Sequence, residues 1–383
     1  MPRGLIICFW DETKGIRTIT QYPHDVHISD ANLIHLYAHH IAKENAPSFL
    51  VETIIDNTKY LSYRSGPDGN YYFVLVIDRK ERTDNYEDGY IESLQLIIQN
   101  LHNNEYLDNI ALFYNAVERY YMLNDEQKLS WLFQNDLRRI ILDILRKTAV
   151  IEKSHLVRKI EEIYEGGFFD VEPTLMGLEK LGIIRMGMIE GNLWIFFLKD
   201  IIFERIPPVD QFDSIDTRGL PSALKHSYQK EVTKFFSGYL PSDEDALQII
   251  EKVILDTQIY ELLKLLRVAV ITRSDFENLA SKGVRDVDYI LKTLYENDLI
   301  IVIQGEDKKE YYCLKSDFYV KSFFPSYLLN IVKIIYENKM ENRVALTREV
   351  QLLKMIYSEL FLALKERTRK KKREIEEEIL RNY

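Results

Sequence analysis

The sequence predicts an α+β chain. An N-terminal antiparallel sheet with flanking helices is followed by two copies of a module of three helices and a hairpin, and then by a charged C-terminal helix. Three observations carry that prediction. The first 122 residues read as β-β-α-β-β-β-α-α. Two later segments about 120 residues apart echo one another. The closing stretch "KERTRKKKREIEEEILRNY" sets a run of bases before a run of acids.

Within 1–122, "GLIICFWD" (4–11) is an apolar strand, "ETKG" a turn, and "IRTITQYP" (16–23) a second strand stopped by Pro23. "SDANLIHLYAHHIA" (29–42) has helical spacing, with Ser29 or Asp30 suited to its N-cap. "SFLVETII" (48–55) and "TKYLSYR" (58–64) flank Asp56-Asn57, a two-residue hairpin signal. "YYFVLVID" (71–78) is apolar without alternation, which marks the central strand. Helices are predicted at 88–103 and 106–121.

The repeat sets the organisation of the rest. "LRKTAVIEKSHL" (145–156) aligns with "LLRVAVITRSDF" (265–276), and "DVEPTLMGLEKLGII" (170–184) with "DVDYILKTLYENDLI" (286–300). Each copy predicts a first helix (136–148 or 257–267) and a short "AVI" strand or turn. A second helix follows, capped by Ser154 or Ser274, and then a third opening at Asp170 or Asp286, whose carboxylates suit orphan amides and the positive dipole end. Polar tips "GMIEGN" (187–192) and "GEDKKE" (305–310) lie between two strands. Three helices plus a β-hairpin is the winged-helix arrangement, here twice. The predicted boundaries are 1–122 for the sheet domain, 123–208 and 257–326 for the two modules, 209–256 for a linker with bridging helices, and 327–383 for the C-terminal helices.

A winged helix commonly reads DNA through its third helix, so the charges there matter. Residues 286–298 carry Asp286, Asp288, Glu296 and Asp298 against Lys292, a net of −3. In the first copy Asp170, Glu172 and Glu179 stand against Lys180, a net of −2. Neutralising phosphates and reading base edges both call for Lys, Arg, Asn and Gln that neither helix supplies. Both faces are expected to be acidic, and the modules to bind protein or build scaffold. The alternative is a DNA-binding regulator whose N-terminal domain dimerises or senses a ligand.

With 383 residues, 46% of them hydrophobic, the chain has material for two or three cores. A formal charge of −10 argues against general polyanion binding. Cys8 and Cys313, the only cysteines, form neither a disulfide framework nor a zinc set, which fits a reducing cytoplasm. The longest apolar runs, 5–10 and 71–77, are strand-length, against roughly 20 residues for a membrane span. The N-terminal run stops at Asp11 with no small-residue cleavage site, so it is read as a strand and not a signal peptide. The chain lacks a G-x-x-x-x-G-K-[ST] phosphate loop and a G-x-S-x-G elbow. His35 and His39 have i, i+4 spacing beside His40, but a third ligand is missing. No cofactor, metal or catalytic residue of the chain's own is expected.

The N-terminal element order and the hairpin "IICFWDETKGIRTITQYP" together resemble a longin domain of the kind found in complexes containing folliculin or the nitrogen-permease regulators. Phe9, Trp10, Asp11, Gly15, Gln21 and Pro23 carry the likeness, within the first 80 or so residues. The nitrogen-permease regulators also follow their longin domain with winged-helix-type segments. The resemblance implies a five-stranded sheet between helices that pairs with a second longin or roadblock subunit, or docks on a small Ras-superfamily GTPase. Phe9, Trp10 and Arg64 become candidate partner contacts. It also makes Arg64, in the glycine-flexed loop "SYRSGPDGN", a candidate for an arginine finger on a γ-phosphate. The plainer reading of Arg64 is a solvated residue at a strand end.

The tail holds seven bases between 365 and 373 against one acid. It is read as a solvated helix, as RNA contact, or as a patch for an anionic membrane surface through Arg369, Lys370, Lys371, Lys372 and Arg373, each base contributing about 1 kcal/mol near lipid. Together these readings predict a cytoplasmic, non-catalytic interaction subunit of a small-GTPase regulatory or membrane-trafficking complex, docking through the longin-like domain, with peripheral membrane contact only one of the three readings of the tail.

Overall fold

The computed structural model describes residues 2–42, 50–66, 68–101, 104–276, 286–305 and 308–340, together with 350–351, 354–358, 361–362 and 365. The chain divides into two compact units that do not follow chain order. One comprises Met1–Leu123, Ile140–Asp200 and Phe324–Tyr383, the other Asn124–Arg139 and Ile201–Phe323.

In the first unit, β1 (Gly4–Asp11), β2 (Gly15–Tyr22), α1 (Asp30–Ala42), β3 (Val51–Ile55), β4 (Thr58–Ser65), β5 (Tyr71–Asp78), α2 (Asp84–Gln99) and α3 (Ile110–Met122) follow the expected order. The sheet runs β2-β1-β5-β4-β3, with every observed neighbour pair antiparallel. The β1–β2 turn closes where Gly15 takes φ +74° and the Asp11 carboxylate accepts from the Thr13 (2.8 Å) and Lys14 (3.0 Å) amides. The β3–β4 turn needs a positive φ, supplied by Asp56 at 52°. β5 is central and buried on both faces: Phe73, Leu75 and Ile77 pack with α2 and α3, while Tyr72, Val74 and Val76 pack with α1. That double burial is why its sequence shows no polar alternation.

Two helix limits differ from the sequence expectation. α2 begins at Asp84 and not at 88, because Asp84 and Glu87 form an acidic first turn behind Thr83. It stops at Asn100, and α3 starts only at Ile110. α2 and α3 meet at backbone distance: a Cβ on Gly89 would lie 2.1 Å from the Val117 carbonyl oxygen.

After α4 (Asp125–Trp131) in the second unit, α5 (Asp136–Thr148) enters the first unit at Ile140. It continues as β6 (Val150–Glu152), α6 (Lys153–Glu161), α7 (Val171–Lys180), β7 (Ile184–Ile189) and β8 (Asn192–Phe197). The strands form a sheet in the order β6-β8-β7. Asp170 caps α7, its side chain accepting from the Glu172 amide at 3.0 Å. Ser154 is not the cap of α6. The helix starts two residues earlier, behind Glu152, whose carboxylate takes a hydrogen bond from the Ser154 hydroxyl at 2.6 Å and removes it from capping.

The second unit adds β9 (Asp200–Ile206), α8 (Val209–Phe212), α9 (Lys225–Gly238), α10 (Asp243–Ile249), α11 (Thr257–Val268), β10 (Ile271–Thr272), α12 (Val287–Glu296), β11 (Ile300–Gln304), β12 (Glu310–Leu314) and β13 (Asp317–Phe323). α13 (Ser326–Met340) follows in the first unit. β10-β12-β11 repeats the strand order of β6-β8-β7, so the two echoing segments share one topology. α10 runs on into a π-helical turn, Ile250–Ile254, and α11 then starts behind its own cap, Asp256. β9 and β13, which directly follow each copy, pair with each other.

Each copy is closed by an arginine fork. Arg146 on α5 donates from Nε and NH2 to Asp200 (2.9–3.1 Å), and Arg267 on α11 donates from Nε to Asp317 (2.9 and 3.1 Å). Most of the second helix of the second copy, residues 306–307 of its hairpin tip, and the tail with Arg369, Lys370, Lys371, Lys372 and Arg373 lie outside the described residues.

Candidate functional site

The sheet register brings Phe9, Trp10 and Arg64 to one end of the N-terminal sheet, because Tyr71 pairs with Phe9 and Tyr72 with Arg64. Phe9 meets Tyr71 edge-on at 5.1 Å on the α2–α3 side. Trp10, on the α1 side, stacks on Tyr37 at 3.9 Å and 7°, and Tyr37 continues to Tyr72 at 5.9 Å. Arg64 donates from Nε to the Gly69 carbonyl at 2.6 Å, with its guanidinium 5.9 Å from the Tyr72 ring centre. In this conformation it holds the β4–β5 loop against an aromatic cluster. His39 bonds Thr53 on β3 (2.9 Å), and His40 bonds Ser62 on β4 (2.9 Å). Those bonds turn the two rings to different strands. Both thiols are buried, and that burial pushes Cys8 and Cys313 up to about 12, far from a reactive thiolate at neutral pH.

The third helix of the first copy is not a surface reading head. α7 places Val171, Leu175 and Leu178 in its own core, and a second face, Pro173, Thr174, Met176 and Gly177, is buried as well. Met176 joins the cluster built by α2, α3 and the sheet. A Cβ on Gly177 would approach the Glu92 carboxylate of α2 to 3.2 Å, and Gln95 of α2 donates to the Pro173 carbonyl at 2.9 Å. Lys180 closes the contact through Glu87 at 3.0 Å. The expectation of an exposed acidic face on 170–182 therefore gives way to a helix packed on two sides.

Asp170 joins this helix to the sheet. Its carboxylate accepts from the Tyr63 hydroxyl (2.7 Å) and from Ser65, while Lys153 pairs with Glu172 beside it. Burial raises Asp170 above the ordinary carboxyl range, against the opposing pull of those hydroxyls and Lys153. The folded state thus binds this proton more tightly than the unfolded chain. The stability it contributes is complete below the ordinary pKa and is lost as pH rises through the raised one. Asp170→Asn is expected to flatten that part of the slope, which begins at the ordinary carboxyl pKa and extends above it. Melting temperature against pH for both proteins checks this; superimposable slopes would show that Asp170 ionises as it does in the unfolded chain.

The third helix of the second copy is open on one side, with Tyr289 and Tyr295 about 60% exposed. Its acids are not a bare negative face, however. Asp286 caps its own helix, Asp288 pairs with Arg273 (2.8 Å), Glu296 lies 3.7 Å from Lys292, and Asp298 pairs with Lys315 (2.6 Å). A charge count confined to 286–298 misses Arg273 and Lys315, which come from outside that window.

The feature that composition hid is on α1. Its inner residues Leu33, Leu36 and His40 are buried, yet Ala31, Ile34, Ala38, Ile41 and Ala42 on the other side face water, with Ile34 60% and Ile41 42% exposed. The 3-4-3 spacing of Ala31, Ile34, Ala38 and Ile41 was visible in the sequence as a second apolar stripe. Among the described residues no helix is long and apolar enough to cross a membrane. No family model and no curated protein matches this chain.

Proposed function

We propose that this chain is a longin-like domain followed by two winged-helix modules. It acts as a non-catalytic interaction subunit of a small-GTPase regulatory or membrane-trafficking complex and docks through the N-terminal domain. The observation that carries the reading is the α1 stripe: Ile34 and Ile41 stand in water on a helix whose other side already fills a core. A contiguous apolar surface of this kind fits a partner protein. The strand order β2-β1-β5-β4-β3, with α1 on one face and α2 and α3 on the other, supports the longin-like assignment. Burial of α7 and the single base on α12, Lys292, weigh against the rival DNA-binding reading.

The test is capture of a panel of Ras-superfamily GTPases, each loaded with GDP or a GTP analogue, by the native chain and by Ile34→Asp/Ile41→Asp. Covering the two isoleucines is worth roughly 2–3 kcal/mol, so the variant is expected to bind at least about tenfold more weakly. Arg64→Ala is expected to keep binding. Capture of no GTPase, together with nanomolar grip on a specific duplex, would transfer the protein to the rival class.

A further inference from the structure

The second unit carries an open apolar groove of about 440 Å³ between α8 and α9, with Pro207, Val209 and Phe212 on one side and Val232 and Phe236 on the other. Val232 is part of the buried core, but Val209 at the rim is 68% exposed. On the α8 side Asp213 lines the groove and Asp210 stands outside the lining on the same helix; both are exposed, and neither carboxylate has a hydrogen-bond or ion-pair partner among the described residues. Lys225 instead binds the Asp213 carbonyl oxygen (2.5 Å) and the Asp216 carboxylate (3.1 Å). On the α9 side Thr233 and Ser237 are exposed, and the Ser237 hydroxyl is occupied by the Lys234 carbonyl at 2.8 Å.

We propose that this groove receives an amphipathic helix of a partner protein, its apolar face seated between α8 and α9 and a lysine or arginine turned to Asp210 and Asp213. The volume exceeds one aliphatic side chain and suits two anchors. The lining residues of α9, Val232 to Ser237, span about one and a half turns, roughly 7.5 Å, enough to take the i and i+4 anchors of a facing helix. The sign of the occupant follows from the lining, whose one charged residue is Asp213: a carboxylate there favours a basic flank and repels an acidic one. Val209 favours a helix over a small amphiphile: a ligand sunk in the groove leaves the exposed rim wet, whereas a helix crossing it buries the rim. This site is independent of the docking role given to α1.

The experiment uses the full chain and a fluorescently labelled, designed 18-residue helix with leucines at i, i+4 and i+7 and flanking lysines, set against the same helix with flanking glutamates. Anisotropy titration is expected to give micromolar binding of the lysine helix and at least tenfold weaker binding of the glutamate helix. Thr233→Arg fills the groove and adds a cation to it from an exposed position, so it is expected to weaken the lysine helix at least tenfold with unchanged circular dichroism. Asp210→Asn/Asp213→Asn is expected to narrow the gap between the two helices. Equal affinity for both helices, or full affinity in Thr233→Arg, overturns the proposal. So does binding of monomeric dodecyltrimethylammonium at the groove with no binding of either helix.

Discussion

Arg267→Ala is expected to destabilise the second unit by about 3–5 kcal/mol, the cost of stranding buried charges. The guanidinium donates to Glu126 through NH1 (2.7 Å) and NH2 (2.9 Å) and to Asp317 through Nε (2.9 Å), while the Tyr260 hydroxyl donates to Glu126 at 2.6 Å. All three charged side chains keep less than a quarter of their surface in water. Burial already pushes Asp317 above the ordinary carboxyl range, with Arg267 the main force holding it down. Removing the arginine leaves two carboxylates close together with no cation. Arg267→Lys is expected to recover only part of the loss, because one ammonium cannot fork to both acids. Urea unfolding at pH 7 and near pH 4.5 separates charge from packing. The deficit is expected to shrink at the lower pH, where Asp317, already raised by burial, takes up a proton in the variant; a deficit independent of pH would assign it to lost packing alone.

Gly89→Ala is expected to cost about 3 kcal/mol, at the upper end for overpacking, although alanine is the better helix former by roughly 1 kcal/mol. The new methyl would stand 2.1 Å from the Val117 oxygen, 2.9 Å from its carbonyl carbon and 3.0 Å from its Cα. These are backbone atoms of α3 and cannot rotate away. The two helices must part by roughly 1 Å to restore normal contact, which loosens Leu94, Val117 and the sheet face beneath them. Gly238→Ala, where a methyl meets nothing within 4 Å, is the control and is expected to be neutral or stabilising. Calorimetric melting of the two variants beside the native chain checks the pair. A native-like melt for Gly89→Ala would mean that α2 and α3 tolerate separation.

Elements whose signal is local were legible in the sequence. β5 showed itself by an unbroken apolar run, the β3–β4 turn by Asp56-Asn57, and the starts of α7 and α12 by the carboxylates of Asp170 and Asp286. α4 went unread although Asn124 and Gln127 form a full capping box there. β9 and β13, seven residues each, were passed over because they pair only with each other across a long stretch of chain, with no hairpin turn to signal the pairing. The arginine forks depend on residues 50 or more apart in the chain, beyond any window of periodicity. The docking of α7 did leave a trace: Pro173, Met176 and Gly177 make it apolar or small on a second side, where α12 carries Tyr289, Lys292 and Thr293. A helix with two apolar faces announces two neighbours. Read as a recognition helix, it suggested only one. Of the candidate site, the sequence pointed to Phe9, Trp10 and Arg64. It did not show that Arg64 turns its Nε donor to the Gly69 carbonyl.

The interleaved membership of the first unit has a consequence for biosynthesis. α13 contributes Leu328 and Val332 to buried positions, and Tyr327 donates to Asp200 at 2.7 Å. A ribosome making this chain therefore releases residues 1–123 and 140–200 well before the stretch that completes them. Between the two it must translate residues 201–323 of the other unit, a wait of roughly 6–25 s at about 5–20 residues per second. The nascent first unit spends that interval with an unfinished surface, while the guest segment can close on itself and leave the exit tunnel folded. Holding chaperones therefore have their strongest claim on this protein at the stage when about 320 residues have been made.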